Sequence, residues 1–277
     1  MALAKTEAII LRSRRQGEMT KILTLYTKAF GKLSLVAKGA RSTKSRFWGS
    51  LEPPNHVHVV FYRKETRELQ FLSQADIVHP FLRLRSELGR MTLASLACEW
   101  VLRAEVSEAP QPALFALLLE TLNALDSADR GLKNVVRSFQ VHFLELHGVR
   151  PQLERCAQCG VHEVDGPVLL DVEGGRYFCA RCRPAADSMS QAAFALLRWA
   201  AQVRPAQAGN VLVPPETGME VDKALYKLAS FHLEPLRDLR ALQVLAEIED
   251  GLRGAQTKQE PHSSGKADER NDEQQTS

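Results

Sequence analysis

Two cysteine pairs constrain this chain more than any other feature: Cys156-x2-Cys159 and Cys179-x2-Cys182, separated by nineteen residues. Each short loop presents two thiolates to one ion, and the spacer lets the second knuckle fold back to complete a tetrahedron. Gly160 follows the first pair, and Gly174-Gly175 permits a hairpin turn before the second. The expected occupant is one Zn²⁺. A redox CxxC works as a single pair, and the spacing differs from common iron–sulfur runs. Four thiolates fill the coordination shell, whereas a catalytic zinc keeps a position open, so the expected role is structural. The fifth cysteine, Cys98, lies in an apolar stretch and is expected to be a small core residue. An odd cysteine count, with no signal peptide after Met1, points to a reducing, cytoplasmic setting rather than a disulfide framework.

The first 80 residues read as short strands: Thr6–Arg12, Lys21–Thr27, Lys32–Lys38, Val57–Tyr62 and Leu69–Leu72. Each is rich in β-branched, Leu or aromatic residues, and Leu33 and Leu35 alternate with Lys32 and Ser34 in the period of a half-buried strand. Gly17, Gly31, Gly39 and Pro53-Pro54 punctuate them. Five short strands suit a small closed barrel, of the OB or the SH3-like kind.

From Phe81 the period approaches four. Glu87–Ala104 reads as a buried helix, and Ala113–Leu125 follows Pro112, a residue suited to a first helical turn. Val135, Val136, Phe139, Phe143 and Leu146 form one face of a third helix, closed by Gly148 and Pro151. Beyond the cysteine insert, helices are expected over Ser190–Val203, Val221–Leu233 and Leu236–Leu252, the last two divided by Pro235. The expected class is therefore α+β: a barrel over 1–80, a helical bundle over 81–150 and 188–254, and a zinc-ribbon-like insert over 151–187. Residues 255–277 hold only two apolar residues, Ala255 and Ala267, too few to offset chain entropy, and are expected to be disordered. No apolar run approaches the roughly 18 residues of a membrane span, so no membrane partner is expected.

Charge is unevenly distributed. The whole chain carries +3, but residues 1–80 hold 14 Lys and Arg against 6 Asp and Glu, leaving a net of −5 for the remainder. Lys38, Arg41, Lys44 and Arg46 fall within nine residues and end against Phe47 and Trp48. Cations neutralise phosphates and aromatic faces stack bases, so this loop is a candidate nucleic-acid contact. Arg12, Arg14, Arg15 and Lys21 bracket the first turn and are candidates for the same surface. Phe47 and Trp48 also suit a plug at the barrel end.

Catalytic signatures are missing. There is no GxxxxGK[ST] phosphate loop, no HExxH, no deaminase HxE with PCxxC, and no KxDG ligase lysine. Asp171-Val172-Glu173 reads as a solvated turn rather than a nuclease pair. A binding protein, not an enzyme, is expected.

Glu7-Ala8-Ile9-Ile10-Leu11-Arg12, Gly17-Glu18, Ile22-Leu23-Thr24-Leu25, Gly31-Lys32-Leu33 and Val36-Ala37-Lys38-Gly39-Ala40-Arg41 resemble the amino-terminal pattern of the RecO family. Phe143-Leu144-Glu145-Leu146 through Pro151, Cys156-Ala157-Gln158-Cys159-Gly160, and Gly174-Gly175 before Cys179 resemble its middle. The resemblance spans about residues 5–240. Thr20 stands where the family usually has an acidic residue, and His232-Leu233-Glu234 only partly matches its carboxy-terminal string. The resemblance implies an OB domain, a helical domain and an inserted zinc module. It further implies binding of single- and double-stranded DNA, strand annealing, and work with RecR to help RecA replace single-strand-binding protein, at the nucleoid. Two other classes share some of these features. One is an RNA- or translation-associated binder, distinguished by reliance on the 2′-OH. The other is a protein-binding scaffold, distinguished by the absence of salt-sensitive nucleic-acid binding.

Overall fold

A computed structural model of the chain describes residues 2–42, 44–47, 49–105, 109–237 and 239. Five strands, β1 (Ala2–Gln16), β2 (Thr20–Thr27), β3 (Gly31–Ala37), β4 (His56–Arg63) and β5 (Leu69–His79), close into a barrel of order β1-β2-β3-β5-β4. Strand β3 runs parallel to β5 and every other neighbour is antiparallel. Five strands closed with that one parallel pair make the OB topology, which decides between the two barrels the sequence allowed.

The barrel interior holds Ala8, Ile10, Leu23, Leu25, Leu33, Leu35, Val57, Val59, Phe61 and Leu72. The unbroken run Ala8-Ile9-Ile10-Leu11 has a clear cause: β1 is buried on both faces. Ala8 and Ile10 point inward, while Ile9 and Leu11, with Tyr26 of β2, pack into the helical core. The observed β1 and β5 outrun the expected segments. Polar residues such as Arg14, Gln16, Ser73 and Gln74 interrupt the apolar pattern, yet strand pairing continues through them.

The helical part comprises α1 (Leu82–Ser86), α2 (Leu88–Ala104), α3 (Pro112–Ser127) and α4 (Leu132–Leu146), then α5 (Gln191–Gln202), α6 (Pro205–Ala208) and α7 (Pro215–His232). Pro112 occupies the first turn of α3 as expected, and Gly148 follows α4 at φ 76°. Helix α7 begins at Pro215 rather than Val221, because a proline is tolerated at a first turn. A 3-10 turn covers Glu234–Leu236. Most of the expected helix Leu236–Leu252, and all of 255–277, lie outside the described residues. Trp100, Phe139 and Phe143 form the aromatic centre of the bundle, and Cys98 is buried beside them with burial pushing its thiol up to about 12.

Two polar contacts tie helical segments to one another. The buried Arg137 of α4 meets Asp222 of α7 in a bidentate pair at 2.7 and 2.8 Å. Gly218 sits where a Cβ would lie 2.5 Å from the same guanidinium. Removing Asp222 strands a buried charge, whereas removing Arg137 leaves a carboxylate that is 41% exposed and able to hydrate. Asp222→Ala is therefore expected to cost about 3 kcal/mol in chemical denaturation and Arg137→Met about 1. Equal costs would contradict this reading.

At the barrel–bundle boundary, His147 Nε2 lies 2.9 Å from Glu105 and its Nδ1 lies 2.8 Å from the Phe143 carbonyl. Both nitrogens face acceptors, so both contacts are satisfied when the ring carries two protons. Burial pushes its pKa down, but hydrogen bonds to Glu105 and Phe143, and the Glu105 charge, leave it above 6.5. A folded pKa above the unfolded one stabilises at low pH, and this stability is lost as pH rises through the folded value. The melting temperature is expected to fall as pH rises past 6.5, and Glu105→Gln to flatten that dependence. An unchanged pH profile in the variant would count against the pair.

Candidate nucleic-acid interface and metal centre

Which way the barrel cations point is set by a β-bulge. The β1–β2 register pairs Ile10 with Leu25 and then Arg12 with Thr24, leaving Leu11 as the extra residue. The bulge reverses the in–out alternation. Beyond it Ser13, opposite Leu23, continues the interior face, while Arg12 and Arg14 continue the outer one. Without the bulge, Arg12 and Arg14 would face the barrel lumen. Strand β4 pairs with β1 only as far as Ile9, so Arg12–Gln16 pair on one side alone, with β2, which is itself paired to β3.

Arg12, Arg14, Arg15, Lys38, Arg41, Lys44 and Arg46 are all exposed. None of them has a carboxylate partner among the described residues. The Arg41 Nη1 donates to the Gly17 carbonyl at 3.0 Å, which ties the β3–β4 loop to the β1–β2 turn and leaves the charge uncompensated. Arg14, Arg15 and Arg41, with Ser13, Ser42 and Gly49, line a cavity of about 630 Å³ at the barrel mouth. Lys38 lies elsewhere: its Nζ stands 4.9 Å above the ring of Phe71, and Arg67 approaches the same ring at 5.7 Å.

Two sequence expectations need correction. Lys21 is 19% exposed and pairs with Glu52 at 2.5 Å, so its charge is already matched within the protein. Phe47 is 3% exposed and belongs to the barrel core with Leu51, where it plugs the mouth and offers no face to a base. Arg46 covers its ring at 4.9 Å. Trp48 lies outside the described residues. The outer face instead carries Tyr62 on β4, 45% exposed, and directly opposite it on β5 the half-buried Phe71 beneath Lys38 and Arg67. Alternation around Phe61 and Leu72 marks both as outward-facing. Their juxtaposition depends on a bulge between Val60 and Phe61 that local pattern does not reveal.

The cysteines converge as their spacing requires. Strands β6 (Val168–Asp171) and β7 (Arg176–Cys179) form a hairpin, and the four sulfurs of Cys156, Cys159, Cys179 and Cys182 lie within 4.8 Å of one another. Such a set could hold one metal ion. Gly160, at φ 73°, donates its N–H to the Cys156 carbonyl, and the Cys182 N–H donates to that of Cys179, closing the two knuckles. Burial raises the Cys156 thiol, but the backbone N–H groups of Cys159, Cys179 and Gln158 outweigh it and bring it down to about 6. Cys182, donating to its neighbouring sulfurs, is pushed up to about 12. Asp171 accepts from the Gly174 N–H and pairs with Arg176 at 3.0 Å, a turn role. The hairpin is also better rooted than expected of a metal-dependent module. Val168, Tyr177 and Met189 join the helical core, and Tyr177 lies 4.4 Å from Phe194 between ring centroids.

Among the described residues no helix is long and apolar enough to cross a membrane. The family model for Recombination protein O N terminal matches residues 1–81, and that for Recombination protein O C terminal matches residues 85–240. The DNA repair protein RecO of Salinibacter ruber is 33% identical over 251 residues, which cover 90% of this chain and 95% of that protein. Those of Anaeromyxobacter dehalogenans (strain 2CP-1) and Geobacter metallireducens are each 34% identical over 90% of this chain, covering 98% and 99% of their own lengths. An OB barrel, a helical bundle and a converged cysteine quartet thus accompany similarity along both halves, and the chain belongs to the RecO family of DNA repair proteins.

Proposed function

We propose that this protein is a non-catalytic DNA-repair mediator that binds single- and double-stranded DNA and anneals complementary strands. In this reading it acts in the cytoplasm, at the nucleoid, and works with RecR to help RecA replace single-strand-binding protein. The observation that carries the reading is the set of seven barrel cations without a carboxylate partner among the described residues. Strands that must pair repel one another through their phosphates. A flexible cationic surface reduces that repulsion while leaving base edges free, because phosphate contacts hold a strand without reading its sequence. This work needs positioned charge and no nucleotide hydrolysis.

The metal is read as one structural Zn²⁺ held by Cys156, Cys159, Cys179 and Cys182. Cys159 and Cys179 sulfurs stand 3.8 Å apart. A zinc tetrahedron with bonds of about 2.3 Å has edges of about 3.8 Å. With all four positions taken by sulfur, the ion would supply folding energy and no reactive site.

Annealing of complementary oligonucleotides without ATP tests the proposal. The rate is expected to rise on adding protein, fall with salt, and drop roughly tenfold when Lys38, Arg41, Lys44 and Arg46 become Ala. Failure to accelerate pairing at any salt would overturn the reading. A strong preference for RNA over DNA of matched sequence would move it to the RNA-binding class.

A further inference from the structure

The barrel cations fall on two surfaces rather than one. On the outer face, the row set by strand pairing runs from Arg14 on β1 through Ile22 on β2 and Val36 on β3 to Phe71 on β5 and Tyr62 on β4. Lys38 and Arg67 stand over Phe71 at one end, and Arg12 and Arg14 lie at the other. Glu65 and Glu68 share a turn with Arg67 but pair with neither it nor Lys38 among the described residues. The second surface is the mouth cavity, with Arg14, Arg15 and Arg41 around it. Lys38, Phe71 and Arg67 do not line that cavity, and Arg14 marks the boundary between the two.

The two surfaces differ in chemistry. Tyr62 is an exposed ring, and the half-buried Phe71 opposite it carries Lys38 and Arg67 beside its ring, a grouping of aromatics and cations suited to stacking unpaired bases while neutralising their phosphates. Among the described residues that line the mouth cavity, the one ring is Phe47, buried beneath Arg46, and the one carboxylate, Glu52, is matched by Lys21, so Arg14, Arg15 and Arg41 leave the lining net cationic. Such a surface contacts backbone phosphate and is indifferent to whether the bases are paired.

We infer that one barrel holds two polynucleotide backbones at once: an unpaired strand on the Phe71–Tyr62 face and a second backbone, single or duplex, along the Arg15–Arg41 mouth. This rests on the DNA-binding reading above and deepens it. Annealing then becomes a reaction between two strands on one scaffold, with the raised local concentration that bivalent holding provides.

The test uses the full chain and two thymidine oligonucleotides that cannot pair, one carrying a donor dye and one an acceptor. Energy transfer is read alongside sedimentation to count protein and strands in the complex. One protein with two strands is expected for the unaltered chain. Arg15→Gln with Arg41→Gln is expected to weaken the second binding event roughly tenfold and leave the first within about twofold. Phe71→Leu with Arg67→Gln is expected to do the reverse and to abolish stacking-induced quenching of a 2-aminopurine strand. Arg15→Lys with Arg41→Lys keeps the charge and is expected to restore the second event, separating charge from folding. One strand per protein, or both double variants weakening a single event equally, overturns the two-surface inference while leaving DNA binding intact. No binding of either strand by the unaltered chain overturns the DNA-binding reading itself, and this inference with it.

Discussion

With the cysteine quartet proposed as a structural zinc site, Cys156→Ser is expected to leave the protein without the metal and lower the melting temperature by roughly 10 °C or more. Structural zinc contributes an apparent ~10–16 kcal/mol at neutral pH, and a protein this size loses ~2–4 °C per kcal/mol, so even partial loss is large. Cys156 is the position of greatest effect because it is buried and its sulfur accepts the Cys179 N–H at 3.4 Å, linking one knuckle to the other. The damage is expected to spread. Tyr177 packs on Phe194 of α5, and His232 of α7 contacts the Val172 carbonyl at 2.8 Å, so a loosened hairpin unseats both helices. DNA affinity is expected to stay within about twofold at temperatures where the barrel remains folded, since the barrel has its own core. Zinc content by atomic absorption and a melting curve check both parts. A zinc-free variant that melts like the unaltered protein would remove the metal from the account.

Replacing Lys38, Arg41, Lys44 and Arg46 together with Ala is the second large effect. Each phosphate neutralised contributes about −0.7 to the slope of log K against log salt for single strands and about −0.9 for duplex. Losing four contacts should flatten the slope by about 3 for single strands and by about 4 for duplex, and weaken binding across unrelated sequences alike. Stability should change little, because three of the four side chains make no hydrogen bond or ion pair among the described residues that holds another element. Arg41 is the exception through Gly17. Arg41→Lys alone therefore serves as a control for that tether. Unchanged slope and affinity in the quadruple variant would take the loop out of DNA binding.

Much of this was legible from residues alone, for definite reasons. Two cysteine pairs nineteen residues apart have few ways to close on one ion, and the four sulfurs meet as the spacing demands. Alternation in Lys32–Lys38 and the glycine punctuation define the strands because a half-buried strand leaves a period-two trace. What stayed hidden is tertiary. The bulge at Leu11 that turns Arg12 and Arg14 outward depends on the partner strand, as does the pairing of Tyr62 with Phe71. The Lys21–Glu52 pair joins residues 31 apart, and nothing local to either signals the other. Phe47 was ambiguous between stacking and plugging, and the choice follows from where the β3–β4 loop crosses the barrel mouth. The rooting of the cysteine hairpin in the helical core is likewise a contact between segments with no shared pattern.

Lysine acylation footprinting, read by mass spectrometry with and without a saturating single strand, tests most directly whether the barrel meets DNA. Lys38 and Lys44 are expected to become protected severalfold, while Lys223 and Lys227, on α7 beside the cysteine hairpin, keep their reactivity. Protection of the α7 lysines with Lys38 and Lys44 unaffected would place the strand on the wrong domain and contradict the account.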